Sequence, residues 1–158
     1  MTKSLVTGGA GFIGSNLVDL LVKKKHKVIV LDNFSTGRRS NLSHQNKKNL
    51  KVIKIDITNS KNLDKHFVGV DYVFHLAGIA DIVPSIENPN KYFNSNVVGT
   101  LNVIQAAKKV NIKKFIYAAS ASCYGIPNKF PIKENVKISP MYPYAFTKWQ
   151  AEELIMHW

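Results

Sequence analysis

The sequence predicts an α/β fold, a doubly wound parallel sheet with helices on both faces. Short apolar runs alternate with helical patterns along the whole of the 158 residues. A glycine-rich turn joins the first apolar run to the first helical pattern, and the second apolar run ends in an acid, Asp32. Strand, glycine turn, helix and acid in this order are typical of parallel sheets that hold a dinucleotide at their carboxyl edge.

The predicted strands are short, nearly continuous apolar runs, as expected where helices cover both faces of a sheet. They lie at residues 3–7, 27–32, 51–55, 70–76 and 113–119. The predicted helices carry apolar residues at spacings of three and four. They lie at residues 12–25, at 59–67 after a cap by Thr58 or Asn59, at 91–110 and at 142–158.

Two polar stretches are predicted as loops. Residues 33–49 are rich in turn formers and leave room for one helical turn, and residues 81–89 are expected to cross the strand ends. No internal repeat, low-complexity tract or linker divides the chain. We therefore predict one domain, residues 1–158, of the NAD(P)-binding Rossmann type.

The glycine turn carries the first chemical signal. Gly8, Gly11 and Gly14 are evenly spaced, and Gly9, Gly11 and Gly14 also satisfy the dinucleotide pattern. The first amides of a helix point outward and its dipole favours negative charge, while glycine lets a phosphate approach the backbone. The flanking strand and helix favour a pyrophosphate site over a purely structural turn.

Asp32 ends the second strand about 20 residues after the glycine turn, as a ribose-binding carboxylate does. A carboxylate there accepts two sugar hydroxyls and repels a 2′-phosphate, which favours NAD over NADP. Arg38 and Arg39 follow closely and keep NADP open as an alternative. The other interpretation of Asp32 is a cap for a helix or turn.

A second chemical signal follows the fifth strand. Tyr144 and Lys148 are four residues apart in a helical pattern, so they share one helix face. An ammonium nearby favours phenolate over phenol, which would make Tyr144 a usable base near neutral pH. Ser120 stands at a strand end, where it can hydrogen-bond the same substrate oxygen. We interpret His75 as a core histidine and Cys123 as a packed small side chain, not as catalysts.

Composition limits the remaining classes. The formal net charge is +12, but the basic residues are dispersed and almost all lysine, which predicts a solvated surface and no nucleic-acid site. Such a field would still attract an anionic nucleotide. No apolar run is long enough to span a membrane. Cys123 is the one cysteine, which excludes an internal disulfide and fits a cytoplasmic protein. No metal site is predicted.

Taken together, these motifs resemble the extended short-chain dehydrogenase/reductase family, in its branch of NAD-dependent sugar-nucleotide epimerases and dehydratases. The resemblance implies a set of NAD-binding residues from the whole chain. They are Gly8, Gly11, Phe12, Ile13, Gly14, Asp32, Asn33, Ser35, Thr36, Gly37, Asp56, Ile57, Leu76, Ala77, Gly78, Asn96, Tyr144 and Lys148.

The resemblance also implies the chemistry. Tyr144 would remove the proton of a sugar C4 hydroxyl, with Ser120 and Lys148 beside it, while NAD accepts the C4 hydride and later returns it. Dehydratases of the family carry an acid pair after the catalytic serine or threonine, and decarboxylases carry a glutamate. Ala121 and Ser122 stand there instead, which favours a 4-epimerase of UDP-sugars. Ser85 and Ser122 are further candidate sugar contacts.

Members of this family continue into a smaller substrate-binding domain, so the resemblance implies that this chain is an N-terminal part. We expect NAD binding by it to be weak at best and epimerisation to be absent or very low. The resemblance also implies a homodimer through helices at residues 91–110 and 141–158. Two alternatives stay open, a net NAD-dependent oxidoreductase or dehydratase and a non-catalytic NAD-binding module.

Overall fold

The computed structural model describes residues 1–45, 48–59 and 61–158 and contains one parallel five-stranded sheet. The strands are β1 (Lys3–Thr7), β2 (Lys27–Asp32), β3 (Leu50–Lys54), β4 (Tyr72–His75) and β5 (Lys114–Tyr117). Their order is β3-β2-β1-β4-β5, and every neighbouring pair is parallel. The direction of winding reverses between β1 and β4, so their carboxyl ends form the crevice where such sheets bind ligands.

The helices are α1 (Phe12–Lys23), α2 (Ile82–Glu87), α3 (Pro89–Phe93), α4 (Gly99–Lys108) and α5 (Pro143–His157). A π-helical segment, Asn94–Val98, joins α3 to α4. The doubly wound fold class is confirmed, and all five predicted strands are present. β1 and β2 have the predicted bounds, β3 begins and ends one residue earlier than predicted, and β4 and β5 are shorter at both ends.

Two apolar cores lie on opposite faces of the sheet because side chains alternate along each strand. On one face Leu5 and Leu31 pack with Val73 and with Val103 of α4. On the other, Val6 and its neighbours pack against Val18 and the rest of α1. Both faces of the central strands are therefore covered, which explains why β2 is an almost unbroken apolar run.

The predicted helix at residues 59–67 is wrong. The described part of this segment holds turns and one short 3₁₀ helix, Asp64–His66. Asn62 adopts a left-handed backbone conformation, and the Asn59 side chain accepts a hydrogen bond from the Lys61 amide. Such local side-chain bonds compete with the helix, and the segment is held instead by burying Leu63 and Phe67.

The predicted loop at residues 81–89 is also wrong, because α2 occupies most of it. Its last residues lead through Asn88 directly into α3, whose first turn Asn88 caps. The helix predicted at residues 91–110 is present but not uniform, since α3, the π-helical segment and α4 follow one another without a break.

The glycine turn is packed so closely that Gly8 and Gly14 leave no room for a side chain. Gly8 has a positive φ of 67°, and a Cβ there would lie 2.7 Å from the Ala77 amide nitrogen. A Cβ on Gly14 would overlap the Gly8 carbonyl oxygen. The start of α1 therefore lies directly against the turn, and the turn lies against the Leu76–Ala77 segment that follows β4.

We predict that Gly14→Ala lowers the free energy of unfolding by at least about 2 kcal/mol, although alanine is the better helix former. The reason is that the new methyl group meets backbone, which cannot move aside. Urea unfolding measures the loss.

The control is Gly99→Ala, where the close contacts of the added methyl are with the flexible Ile57 side chain, and the one backbone neighbour, the Asn94 carbonyl oxygen, lies at an ordinary 3.6 Å. We expect a clearly smaller loss for this variant. Equal losses for the two variants would contradict the close backbone packing of the glycine turn.

Candidate active site

An open cleft of about 580 Å³ lies at the carboxyl edge of the sheet, above the switch between β1 and β4. Most of its lining consists of residues that the sequence predicted for the cofactor. These are Gly8, Gly11, Asp32, Asn33, Ser35, Thr36, Asp56, Ile57, Leu76, Ala77 and Gly78. The residues come from four strand ends, so the topology of the sheet assembles the cleft.

The end of the cleft at the glycine turn fits a pyrophosphate. The first turn of α1 carries no acidic side chain, and its leading amides have no partner within the helix. A Cβ on Gly11 would meet a single neighbour, the Gly8 carbonyl oxygen at 3.4 Å, and would otherwise fill cleft space. Backbone donors, an open approach and a favourable dipole thus coincide. Phe12 and Ile13 are largely exposed here.

Asp32 lies at the floor of the cleft and is almost fully buried. One carboxylate oxygen accepts a hydrogen bond from the Ala10 amide at 2.9 Å, and the other accepts one from the Phe34 amide at 2.8 Å. Asp32 therefore does cap a turn, as the alternative interpretation held. Because a carboxylate has about four acceptor positions, these bonds leave capacity for sugar hydroxyls.

Ala10 connects the glycine turn to the loop after β2. Its carbonyl oxygen accepts hydrogen bonds from the Arg38 amide and the Asn41 side chain, and a Cβ on Gly37 would clash with it. The Arg39 guanidinium lies 4.5 Å from the centre of the Phe34 ring. This loop forms one wall of the cleft around Ser35 and Thr36.

Asp56 lies at the far end of the cleft, after β3. Burial alone would raise the pKa of this carboxyl, but hydrogen bonds from the Asn33 side chain and from Thr58 outweigh burial and lower the pKa. The carboxylate is therefore charged and fixed at neutral pH.

Tyr144 and Lys148 lie one turn apart on α5, as the sequence predicted. The Tyr144 ring is half-buried and makes an edge contact with the Tyr92 ring, with centroids 6.4 Å apart. The Lys148 ammonium donates to the Ala118 carbonyl oxygen at 2.7 Å and lies 4.1 Å from the centre of the Tyr117 ring. Burial lowers the pKa of Lys148 to about 8, although Cys123 and Glu152 act in the opposite direction.

Ser120 and Ser122 stand together just after β5, where Ser120 begins a short 3₁₀ helix, Ala121–Tyr124. Their hydroxyl oxygens are 2.7 Å apart. The sulfur of Cys123 reaches the carbonyl oxygen of Ala145, which fixes this turn against the start of α5. Burial raises the pKa of the Cys123 thiol, in keeping with the packed side chain that we predicted.

Asn96 is buried under the segment that follows β4. Its side-chain oxygen, Oδ1, accepts a hydrogen bond from the Ile79 amide. Its side-chain NH₂ group donates to the Ile79 carbonyl oxygen and to the Thr147 hydroxyl. Asn96 thus ties the wall of the cleft to α5. Its predicted contact with the cofactor stays a prediction.

Ser85 lies within α2, not in a loop as we expected. It is fully buried, and its hydroxyl donates to the Ile82 carbonyl oxygen at 2.6 Å. This bond holds the hydroxyl inside the helix, so the structure gives no support to the predicted sugar contact. His75 is also fully buried, between Thr7 and Thr100, as expected of a core histidine.

Four lining residues of the cleft were missed by sequence reasoning, namely Leu31, Ile55, Ile79 and Ser95. The first three are apolar neighbours of residues that the sequence did indicate, at strand ends where every residue borders the cleft. That adjacency was the available signal. Ser95 carried none, because its position depends on the π-helical segment.

Across the part of the chain that the structure describes, no helix is long and apolar enough to cross a membrane. Nor do these residues bring together three His, Cys, Asp or Glu side chains that could hold a metal ion.

The parallel sheet, the glycine turn and the acid-tipped second strand define a Rossmann-like α/β protein. A family model described as the NAD dependent epimerase/dehydratase family matches residues 4–158. The chain therefore belongs to this family.

Individual relatives agree with that assignment. A bifunctional UDP-glucose 4-epimerase and UDP-xylose 4-epimerase of Pisum sativum is 39% identical over 165 residues, covering 96% of this chain and 46% of that protein. A UDP-N-acetylglucosamine 4-epimerase structure from Methanobrevibacter ruminantium M1 superposes with a TM-score of 0.93 at 38% identity, covering 99% and 50%. A UDP-glucose 4-epimerase structure from Brucella ovis in complex with NAD superposes with a TM-score of 0.89 at 32% sequence identity. The match covers 99% of this chain and 47% of that chain. This chain spans about half the length of these relatives.

We predict that the buried ammonium of Lys148 makes stability depend on pH between about 8 and 10.5. In this range the unfolded chain holds the lysine proton and the folded chain has lost it, so the free energy of unfolding rises with pH. Relative to Lys148→Met, the wild-type chain should gain up to about 1.4 kcal/mol per pH unit. Urea titrations at a series of pH values measure the difference.

The control is Lys133→Met, which removes an exposed lysine from a loop. Its stability curve should run parallel to that of the wild type. Parallel curves for Lys148→Met as well would show that the ammonium is not buried in the folded chain.

Proposed function

We propose that this chain is the NAD-binding and catalytic half of a nucleotide-sugar 4-epimerase that acts on UDP-hexoses. One observation carries the proposal. The glycine turn and Asp32 line the cleft at the carboxyl edge of the sheet, and Lys148, which shares α5 with Tyr144, bonds the Ala118 carbonyl just after β5 at that same edge. The relatives named above are UDP-sugar 4-epimerases, which supports this activity for the complete protein.

In this proposal the cleft holds NAD along its length. The amides at the start of α1 bind the pyrophosphate, Asp32 binds the adenosine ribose, and Asn33 with Asp56 borders the adenine. Lys148 reaches toward the nicotinamide ribose. The remaining contacts come from Ser35, Thr36, Gly37, Ile57, Leu76, Ala77, Gly78 and Asn96.

The protein side chains handle the proton. Tyr144 takes it from the C4 hydroxyl of the sugar, and Ser120 holds the same oxygen by a hydrogen bond. Lys148 contributes positive charge beside the phenolate, and its pKa of about 8 keeps much of it protonated at neutral pH. NAD, when bound, supplies the hydride acceptor and returns the hydride to the other face of the sugar, so no net oxidation results.

The chemistry stops at epimerisation because no acid follows Ser120. Ala121 has no titratable group, and the Ser122 hydroxyl is within hydrogen-bonding distance of Ser120. Neither residue exchanges a proton near neutral pH, which elimination of water requires.

We further propose a cytoplasmic homodimer. The helices at residues 91–110 and 141–158 expose Phe93 and Phe146, and an apolar groove crosses them beside Val97 and Trp149. Burying this groove against a second copy would remove apolar surface from water.

We predict weak but measurable NAD binding to the 158-residue chain, with the largest amide shifts at residues 8–14 in an NMR titration. Gly11→Ala should fold normally and weaken binding at least about tenfold, because its methyl group occupies the phosphate approach. Asp32→Ala should lose affinity for NAD and narrow the preference for NAD over NADP.

The charge-matched control is Asp64→Ala, which removes an exposed carboxylate paired with Lys109. It should bind NAD like the wild type. NAD shifts outside the cleft, or unchanged binding by Gly11→Ala, would refute the cofactor site.

We predict epimerisation once the second half of the enzyme is supplied. Joining this chain to the C-terminal half of the Methanobrevibacter protein should give a chimera that interconverts UDP-glucose and UDP-galactose, or their N-acetyl forms. The chimera should not consume NAD and should release no NADH. Tyr144→Phe should lower its turnover by at least about a hundredfold, because the base is lost. A coupled assay of UDP-glucose measures this.

The isolated chain serves as the control and should show no turnover above a blank. Robust turnover by the isolated chain would contradict the proposal that substrate binding needs the C-terminal half of the enzyme. A folded, NAD-binding chimera that stays inactive would refute the epimerase proposal, and steady NADH release would identify a net oxidoreductase.

A further inference from the structure

Five buried polar residues are joined by a series of hydrogen bonds through the middle of the molecule, which runs through side chains and, at Asn96, also through the main-chain carbonyl. They are Thr7, His75, Thr100, Asn96 and Thr147, and none is more than 3% exposed. We call them the polar spine. It begins at the end of β1, beside the glycine turn, and ends on α5, beside Tyr144.

The direction of the bonds at one end of His75 is fixed by a carbonyl. The Thr100 hydroxyl oxygen lies 2.5 Å from the main-chain carbonyl oxygen of Asn96. A carbonyl oxygen can only accept, so Thr100 donates its one hydroxyl proton to it. Toward His75 Nε2, at 2.8 Å, Thr100 must then accept. His75 therefore carries its proton on Nε2.

The other end of His75 follows from this assignment. A neutral imidazole protonated on Nε2 has a bare Nδ1, which accepts from the Thr7 hydroxyl at 2.6 Å. The Thr7 oxygen is left to accept, and the Leu76 and Ala77 amides donate to it at 3.2 and 3.1 Å. These two residues line the cleft, so His75 holds Thr7 in the position that fixes the cleft wall.

The far end of the polar spine reaches the catalytic helix. Asn96 donates to the Thr147 hydroxyl at 3.1 Å, and Thr147 donates its own proton to the Tyr144 carbonyl oxygen at 2.9 Å. The other side of the Asn96 amide is bound to Ile79. No bond in this series can be reversed without placing two donors or two acceptors face to face.

The π-helical segment lies at the centre of the polar spine. Its wider turn makes the Gly99 amide bond to Asn94, five residues back. The Thr100 hydroxyl bonds the Asn96 carbonyl within this region, and the Asn96 side chain faces Ile79 and α5. Through Thr100, His75 thus supports the π-helical segment that contains Asn96.

We propose that His75, in its Nε2-protonated form, is a positioning residue that holds the phosphate cradle and Tyr144 at a set separation through the polar spine. The effect on catalysis rests on the function proposed above, whereas the hydrogen-bond geometry of the polar spine is independent of it. Burial, with a smaller contribution from the Lys148 charge, lowers the pKa of His75 to about 3, in keeping with a neutral ring.

The first test is made on the 158-residue chain without cofactor. Long-range proton–nitrogen NMR correlations of the His75 ring should show a protonated Nε2 and a bare Nδ1, unchanged between pH 5 and 8. A proton on Nδ1, exchange between both forms, or titration within this range would overturn the proposal.

The second test breaks the polar spine with Thr100→Val, which keeps the shape of the side chain and removes the hydroxyl. In the isolated chain this change should shift the amide signals of residues 144–148 and of Leu76 and Ala77. In the chimera it should lower kcat by about tenfold or more, as the loss of outer-shell partners does at metal sites, with KM little changed. Thr100→Ser should restore both signals and kcat.

The matched control is Ser4→Ala. Ser4 is fully buried on the same strand as Thr7, and its hydroxyl lies 2.8 Å from the His26 ring, so it loses a comparable bond outside the polar spine. It should leave the signals of residues 144–148 and kcat unchanged. If Thr100→Val does not fold, Thr147→Val interrupts the other end and should give the same fall in kcat.

The outcomes separate the two proposals. A folded Thr100→Val chain with unshifted signals at residues 144–148 overturns the positioning role, whatever the chain binds. A chain with the expected tautomer and shifts supports that role even if NAD does not bind, in which case the proposed function alone fails.

Discussion

The structure depends on the direct contact of backbone with backbone at the glycine turn. The Gly8 amide donates to the Leu31 carbonyl oxygen at 2.8 Å, while its Cα lies against the Leu76–Ala77 peptide with no room for a side chain. Strands β1, β2 and β4 are thereby held together at one point. Where that point lies determines where α1 begins and which way its amides face.

Other parts of the site follow from the same contact. Because β2 is in register with β1, Thr7 pairs with Leu31, and Asp32 comes next at the edge. Its carboxylate then meets the Ala10 amide inside the turn. The loop after β2 is joined to Ala10 as well, so the glycine-turn end and the Asp32 end of the cleft are built on one residue.

The sequence predicts those parts of the fold and the site that depend on neighbours in the chain. Strand, turn and helix around Gly8–Gly14, the acid at Asp32, and the pair Tyr144 and Lys148 are local patterns, and all are found where predicted. The helix expected at residues 59–67 does not form, because the Asn59 side chain bonds the Lys61 amide and Asn62 adopts a left-handed backbone conformation. The polar spine could not be predicted, since His75 and Thr100 are 25 residues apart and Asn96 and Thr147 are 51 apart.

The charges around Tyr144 bear on which reaction the site can support. Lys148 lies one turn along α5 from Tyr144, and its ammonium is held by the Ala118 carbonyl and the Tyr117 ring. Under the proposed function, proton removal from the sugar hydroxyl needs only one base, and the same group can return the proton after the sugar turns over. Elimination needs a second titratable group on the other side of the substrate. At the turn after β5 stand Ala121 and the hydrogen-bonded Ser120–Ser122 pair, none of which titrates near neutral pH, and this is why the proposed function is a reversible oxidation and not the loss of water.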